Sequence, residues 1–485
     1  MCLGIPGEIR EIDGMEARAE FWDVEKTVRL DIVGESVEEG DYILNHAGFA
    51  IRKIPDDEVE ETIEIYESVL EGDEDDALEE IGAEGERLGL GDGGAGRPAR
   101  PTRNWTRWPT WRATMATESA DRDLQFRDPE TAEELQERLG ALMDEIGHPV
   151  DVMHVCGSHE QAIAKFGLRS LLPDGLSVRM GPGCPVCVTN MPEVDEAVAL
   201  AEDGKVVATY GDMFRVPGTV KSLADAKADG ADVRVVYSAS EAAAIAAEEP
   251  DEEVVFYATG FETTAAPTAA VLTDDPPENF SVLSAHKYVP PAMEVVAEMP
   301  DTDIDGFLAA GHAATITGYG LFEDFVAEYD TPVVVGGFEP LDVLFGLERL
   351  LEFVRDGEAG LENAYPRCVT EEGNTQALDV MWDVFETATG EWRGIADIPG
   401  ANLVLRDEWA AYDARERFDI DADAGEGDPL TEQCICGDIM AGKSDPDECD
   451  LFGEECTPSD PVGACMVSSE GTCKIWLEYG GQPDL

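Results

Sequence analysis

Positive charge is what this sequence lacks most. Its 485 residues hold 33 lysines and arginines against 105 aspartates and glutamates, a formal net charge of -72, and only nine of the 33 are lysine. No basic face is available to neutralise a phosphate backbone, so nucleic-acid binding is not expected. A run of about 18 apolar residues is also missing, and with it any expected membrane span. The opening Met1-Cys2-Leu3-Gly4-Ile5-Pro6 has neither the basic nor the apolar region of a secretory leader. The phosphate-binding pattern GxxxxGK(S/T) does not occur, and no nucleotide site is assigned.

The acid is spread along almost the whole chain. Dense surface carboxylate keeps a protein dissolved in strong salt, which points to a halophilic cytosol. A cytosolic chain keeps its thiols reduced. Six of the 11 cysteines nevertheless crowd between Cys434 and Cys473. Such crowding calls for a metal, an iron–sulfur cluster or disulfide staples, and a reducing compartment weakens the last.

Short strand patterns fill residues 1–54, at Gly7–Ile12, Ala17–Phe21, Thr27–Leu30 and Tyr42–His46, with turn signals between them; they predict a small β-barrel. Asp56 to Leu70 reads as an amphipathic helix with Val59, Ile63, Tyr66 and Leu70 on one stripe. The first unit is therefore residues 1–70. Residues 71–127 have no core pattern; they include a stretch, 95–114, with five arginines, three tryptophans and no acid, and read as a flexible linker. From 128 to 427 strands alternate with helices, and several strands are continuous apolar runs. That predicts α/β architecture, two doubly wound lobes with largely parallel sheets. The cysteine-rich segment, 428–485, is loop-rich and must be held by its cysteines.

Five polar, glycine-containing turns follow predicted strands. They begin at Cys156, Gly181, Gly211, Gly260 and Gly336. Ligands bind beyond the carboxyl ends of open α/β sheets, so five such turns imply one shared site. Cys184-x-x-Cys187, after a strand and before a helix, suits thiol–disulfide exchange; metal ligation and a pair of inert buried thiols are the other readings. Cys156 is either a ligand, a thiolate with His159 as its proton partner, or a buried structural cysteine. Loss of Met1 would expose Cys2, whose thiolate and amine both reach a metal, though an N-terminal cysteine alone is usually incidental. Composition and pattern give His46 no special role.

Together these stretches resemble two families. Residues 1–70, through MCLGIPGEI at 1–9 and GDYILNHAGFAIRKI at 40–54, resemble HypC, a chaperone of nickel–iron hydrogenase maturation. Residues 128–479 resemble HypD, through CGSHEQAIAKFGLRSLLP at 156–173, GPGCPVC at 181–187, GDMFRVPG at 211–218, GFETT at 260–264, GFEPLD at 337–342 and the tail. The chain is thus similar to a HypC–HypD fusion.

The resemblance implies assembly of an Fe(CN)2(CO) group on an iron held between the two parts. Cyanide would come from a HypE-like donor, and the product would pass to the hydrogenase large subunit precursor. By the same resemblance Cys2, His46 and Cys156 hold that iron, and Cys184 and Cys187 are the redox pair beside it. His159, Asp212 and Glu470 would handle protons or steady the site. Cys434, Cys449, Cys456 and Cys473 would bind a 4Fe-4S cluster, with Cys436 and Cys465 outside the ligand set; a zinc site is the rival. Such a chain is an assembly scaffold with redox-active thiols rather than a conventional turnover enzyme. One departure stands out. The family usually reads Cys-Gly-Thr-His-Thr-His where this chain has Cys156-Gly157-Ser158-His159-Glu160-Gln161, so the second histidine is lost. The other classes considered are a self-contained disulfide oxidoreductase and a zinc-stapled binding module.

Overall fold

A computed structural model describes residues 5–21, 24–55, 59, 129–299, 302, 304–422 and 429–481. Cys2, most of the helix expected at 56–70 and the whole linker, 71–127, lie outside the described residues.

Strands β1 (Ile5–Asp13), β2 (Glu16–Phe21), β3 (Val24–Arg29), β4 (Tyr42–His46) and β5 (Phe49–Ile54) close into a barrel in the order β1-β2-β3-β5-β4. The period-two pattern explains the inside. In β2, Ala17, Ala19 and Phe21 point inward while Glu16 and Arg18 face solvent. A side chain at Gly7 would strike the Phe21 ring, its Cβ lying 2.2 Å from the nearest ring carbon. The sequence pattern missed β5. It is joined to β4 by Ala47 and Gly48, both at positive φ (48° and 82°). That is a two-residue hairpin turn whose first position carries none of the usual Asn or Asp signal.

The barrel is seated on the rest of the chain. Its Ile32, Phe49, Ile51 and Ile54 share an apolar cluster with Ala377 and Met381 of the helix Thr375–Val384. Asn374 both caps that helix, accepting from Ala377 N–H at 3.0 Å, and donates to the barrel carbonyls of Ile32 (2.6 Å) and Ile51 (2.9 Å).

Among the described residues eleven further strands follow: β6 (Val150–His154), β7 (Leu176–Met180), β8 (Val206–Thr209), β9 (Val233–Val235), β10 (Val254–Gly260), β11 (Phe280–His286), β12 (Gly306–Ala310), β13 (Val333–Gly336), β14 (Leu361–Asn363), β15 (Phe385–Trp392) and β16 (Ala396–Leu405). One parallel sheet runs β14-β13-β12-β6-β7 and the other β11-β10-β8-β9. The chain lays down two of the five strands of the first sheet, all of the second, and then returns to finish the first. Strands such as β10 and β12 are buried along their whole length, which is why they read as apolar runs. An antiparallel hairpin, β15–β16, packs against β11. Among the described residues no helix is long and apolar enough to cross a membrane.

Candidate functional site

Strand order fixes where the polar turns meet. In the first sheet the chain moves outward from β6 to β7 on one side and from β12 to β14 on the other, so β6 and β12 flank the reversal point. In the second sheet β8 and β10 do the same. The crevice beyond the carboxyl ends of such a pair is where α/β sheets hold ligands.

Beyond β6 lies Cys156, extended and immediately before the helix Gly157–Lys165. Burial pushes its thiol up to about 12, the charge of Glu470 adds to this, and donors from Ser158 and His159 oppose it. Burial thus favours the neutral thiol. The turn beyond β7 is pressed against it. Gly157 N–H donates to Gly183 C=O at 3.3 Å, and a Cβ on Gly183 would lie 2.0 Å from the Val155 carbonyl carbon. Only glycine permits that approach. Cys184 follows at once; its sulfur accepts from Cys187 N–H at 3.2 Å and is disulfide-bonded to Cys187.

His159 donates from Nε2 to Gly337 C=O at 2.9 Å, which leaves Nδ1 as a buried acceptor without a partner. Burial first, then His154, brings its pKa down to about 3, so the ring is neutral. It stacks on Phe338 (4.6 Å between centroids), and Phe338 stacks on His312 (3.7 Å). His312 lies beyond β12, in the first turn of the helix Gly311–Thr317. Burial first, then the proximity of His46 and of His159, lowers its pKa well below that of an ordinary imidazole. His46, at the end of β4, therefore reaches the first sheet's crevice from the barrel side. Sequence reasoning missed His312; the signal was a histidine directly after the apolar strand Gly306–Ala310.

Asp212, beyond β8, accepts from Ser468 Oγ at 3.1 Å, and that hydroxyl accepts from Glu470 N–H at 3.1 Å. Glu470 then packs on the Cys156 turn, since a Cβ on Gly157 would meet Glu470 Cβ at 2.4 Å. Beyond β10, Glu262 is buried, with Oε1 accepting from Val289 N–H at 3.1 Å and Oε2 without a partner. Burial raises its carboxyl to about 7. The fold thus brings Cys156, His159, Cys184, Cys187, Asp212 and Glu470 into adjoining turns, with His46 at the barrel boundary.

The tail forms a second centre. Cys434, Cys436, Cys449, Cys456, Cys465 and Cys473 all line one cavity, whose remaining wall is largely apolar. Cys436 interacts with both Cys434 and Cys465, and Cys465 also with Cys473. Among the described residues no three His, Cys, Asp or Glu side chains gather to hold a single metal ion. Six thiols around one apolar cavity, with no charged wall, are a donor set that suits a sulfur-ligated metal or iron–sulfur cluster. The cavity adjoins the Cys184–Cys187 disulfide: the short helix Pro185–Val188 packs on Cys436–Met440 and on Ala464–Met466.

A HypD family model, described as the hydrogenase formation hypA family, matches residues 130–480, and a HupF/HypC model matches residues 1–66. A hydrogenase expression/formation protein of Methanocaldococcus jannaschii is 43% identical over 346 residues, covering 71% of this chain and 95% of the relative. The hydrogenase maturation factor HypD2 of Bradyrhizobium diazoefficiens is 42% identical over 73% of this chain and 96% of its own length. The HypD of Azotobacter vinelandii is 40% identical over 74% and 96%. The chain belongs to the HypD hydrogenase-formation family and carries a HupF/HypC-family barrel fused ahead of it.

Proposed function

We propose that this chain is a hydrogenase maturation scaffold on which an Fe(CN)2(CO) group is built for delivery to a hydrogenase large subunit precursor. The iron is cargo, held between barrel and lobes by Cys156, His46 and Cys2. Soft thiolates suit a cyanide-bearing iron, and a neutral imidazole is compatible with it. The observation that carries this reading is the Cys156 turn itself. It lies at the reversal point of the first sheet, locked to the Cys184–Cys187 turn, with His159 stacked through Phe338 toward His312 and the barrel.

Cys184 and Cys187 supply thiol redox chemistry beside that position. Cys434, Cys449, Cys456 and Cys473 would hold a 4Fe-4S cluster in the tail cavity, which when bound supplies electrons near the pair. His159 and Asp212 orient and move protons, and Glu470 sets the charge seen by the Cys156 sulfur. A HypE-like protein would donate cyanide.

The test is an infrared spectrum of the chain purified anaerobically with a HypE-like partner. Bands from both cyanide and carbonyl ligands, lost in Cys156→Ala, are the expected result. Cluster-replete protein without such bands would overturn the scaffold and favour a disulfide oxidoreductase working through Cys184 and Cys187.

A further inference from the structure

Four residues after Cys156, in the CGSHEQAIAK stretch, stands a carboxylate with no part in the site so far. Glu160 is fully buried. Its Oε2 accepts from His154 Nε2 at 2.8 Å, both oxygens accept from Arg169 Nη2 at 2.9 and 2.8 Å, and Oε1 accepts from Trp476 Nε1–H at 2.6 Å. The Arg169 guanidinium also lies over the Trp476 ring, 5.3 Å from its centroid. Burial pushes the Glu160 carboxyl up, yet Arg169 and His154 together hold it at about 2.

These groups come from four places. His154 ends β6, Glu160 lies in the helix that Cys156 starts, Arg169 sits in the turn after it, and Trp476 belongs to the tail helix Thr472–Tyr479 that also bears Cys473. The knot touches the Cys156 turn directly. His154 faces Glu160 with one ring nitrogen and the Cys156 carbonyl oxygen with the other, at 3.1 Å. The tail reaches that turn a second time through Glu470 against Gly157, and strand β7 through Thr472 Oγ1 to Met180 Sδ at 2.7 Å. A buried ion pair is weak evidence for stability, because an apolar filling often serves as well. It does fix one arrangement of the three groups that converge on Glu160, although Arg169 Nε and Nη1 are buried without a partner.

We propose that Glu160 is a positioning residue that fastens the cysteine-bearing tail helix across the Cys156 turn. One buried polar knot then sets both the tail's last thiol and the shielding of Cys156. Its importance for iron rests on the role of Cys156 proposed above; the contact itself does not.

The test uses the full chain, purified anaerobically with its iron, and follows alkylation of individual cysteines by iodoacetamide with peptide mass spectrometry. Cys368, which is half-buried and outside the knot, is the internal reference. Trp476→Phe keeps an aromatic ring beside Arg169 and removes the N–H donor together with the pyrrole half of the indole. Glu160→Gln forces an amide N–H toward one of the donors. In each variant the ratio of Cys156 to Cys368 modification should rise about tenfold, the weight of one hydrogen bond to a charged group. Should Glu160→Gln not fold, Trp476→Phe decides. A ratio within twofold of the parent, or a rise shared equally by both cysteines, overturns the proposal. If the wild-type chain shows no iron–cyanide bands, the iron assignment fails while the alkylation ratio still reports on the knot.

Discussion

A Cβ placed on Gly183 would lie 2.2 Å from the backbone nitrogen of Cys156. The two turns that carry the proposed iron ligand and the redox pair are therefore in backbone contact. Gly183→Ala must push them apart, at a cost of about 1–3 kcal/mol from overpacking. The expected outcome is a lower urea midpoint together with weakened iron–cyanide bands. Bands at full strength in a destabilised but folded variant would show that the spacing of the turns is not critical.

His312 offers a second test. It is buried, its Nδ1 has no partner, and it stands between the barrel's His46 and the Phe338–His159 stack. His312→Phe keeps the stacking and removes both nitrogens. Iron retention should fall several-fold while the tail's cluster absorbance is unchanged; equal iron content would confine His312 to packing.

Glu262 gives a pH dependence. Its folded carboxyl titrates at about 7, above the ordinary 4.5, because burial disfavours the charge. Between those values the unfolded chain has lost the proton that the folded chain keeps. Stability is thus fully present below about pH 4.5 and falls as pH rises through 7, by about 3 kcal/mol in all. Other carboxylates titrate as well, so the comparison is with Glu262→Gln. Urea midpoints at pH 5 and pH 8 should differ more in the parent than in the variant.

The tail tests the ligand choice. Cys449→Ser should lose cluster iron and loosen the tail, whereas Cys465→Ser should leave the iron count per chain unchanged. The reverse pattern would reassign the cluster's fourth thiol.

Asn374→Ala removes a helix cap and both of its bonds to the barrel. The cap alone is worth about 1 kcal/mol. Amide exchange in β5 should accelerate with little change in β1, which lies away from that contact.

The parts of the site that were legible in the sequence are those written as local pattern. Apolar runs ending in Gly-containing turns marked β6, β7, β8, β10 and β13, because strands covered on both faces leave an uninterrupted signature. Two strands, β15 and β16, were not legible: Glu386, Glu391 and Asp397 on an exposed face, with Gly390 and Gly400 inside, blur the alternation. What sequence spacing cannot carry is which strands become neighbours. β6 pairs with β12 more than 150 positions later, and that pairing alone places His312 beside the Cys156 turn. Glu160 escaped for the same reason, since its partner Trp476 is 316 positions away.

That distant pairing has a consequence for the chain as it leaves the ribosome. After Met180 ends β7, the first sheet stays half-built until Gly306 begins β12, an interval that contains the whole of the other sheet. At about 5–20 residues per second, the cysteine beyond β6 waits on the order of ten seconds without the strand that closes its crevice. The knot at Glu160 waits longer still, until the last helix emerges. The Cys156 turn therefore gains its full surroundings only once the helix Thr472–Tyr479 has been made, and the iron loading proposed above would come after that step.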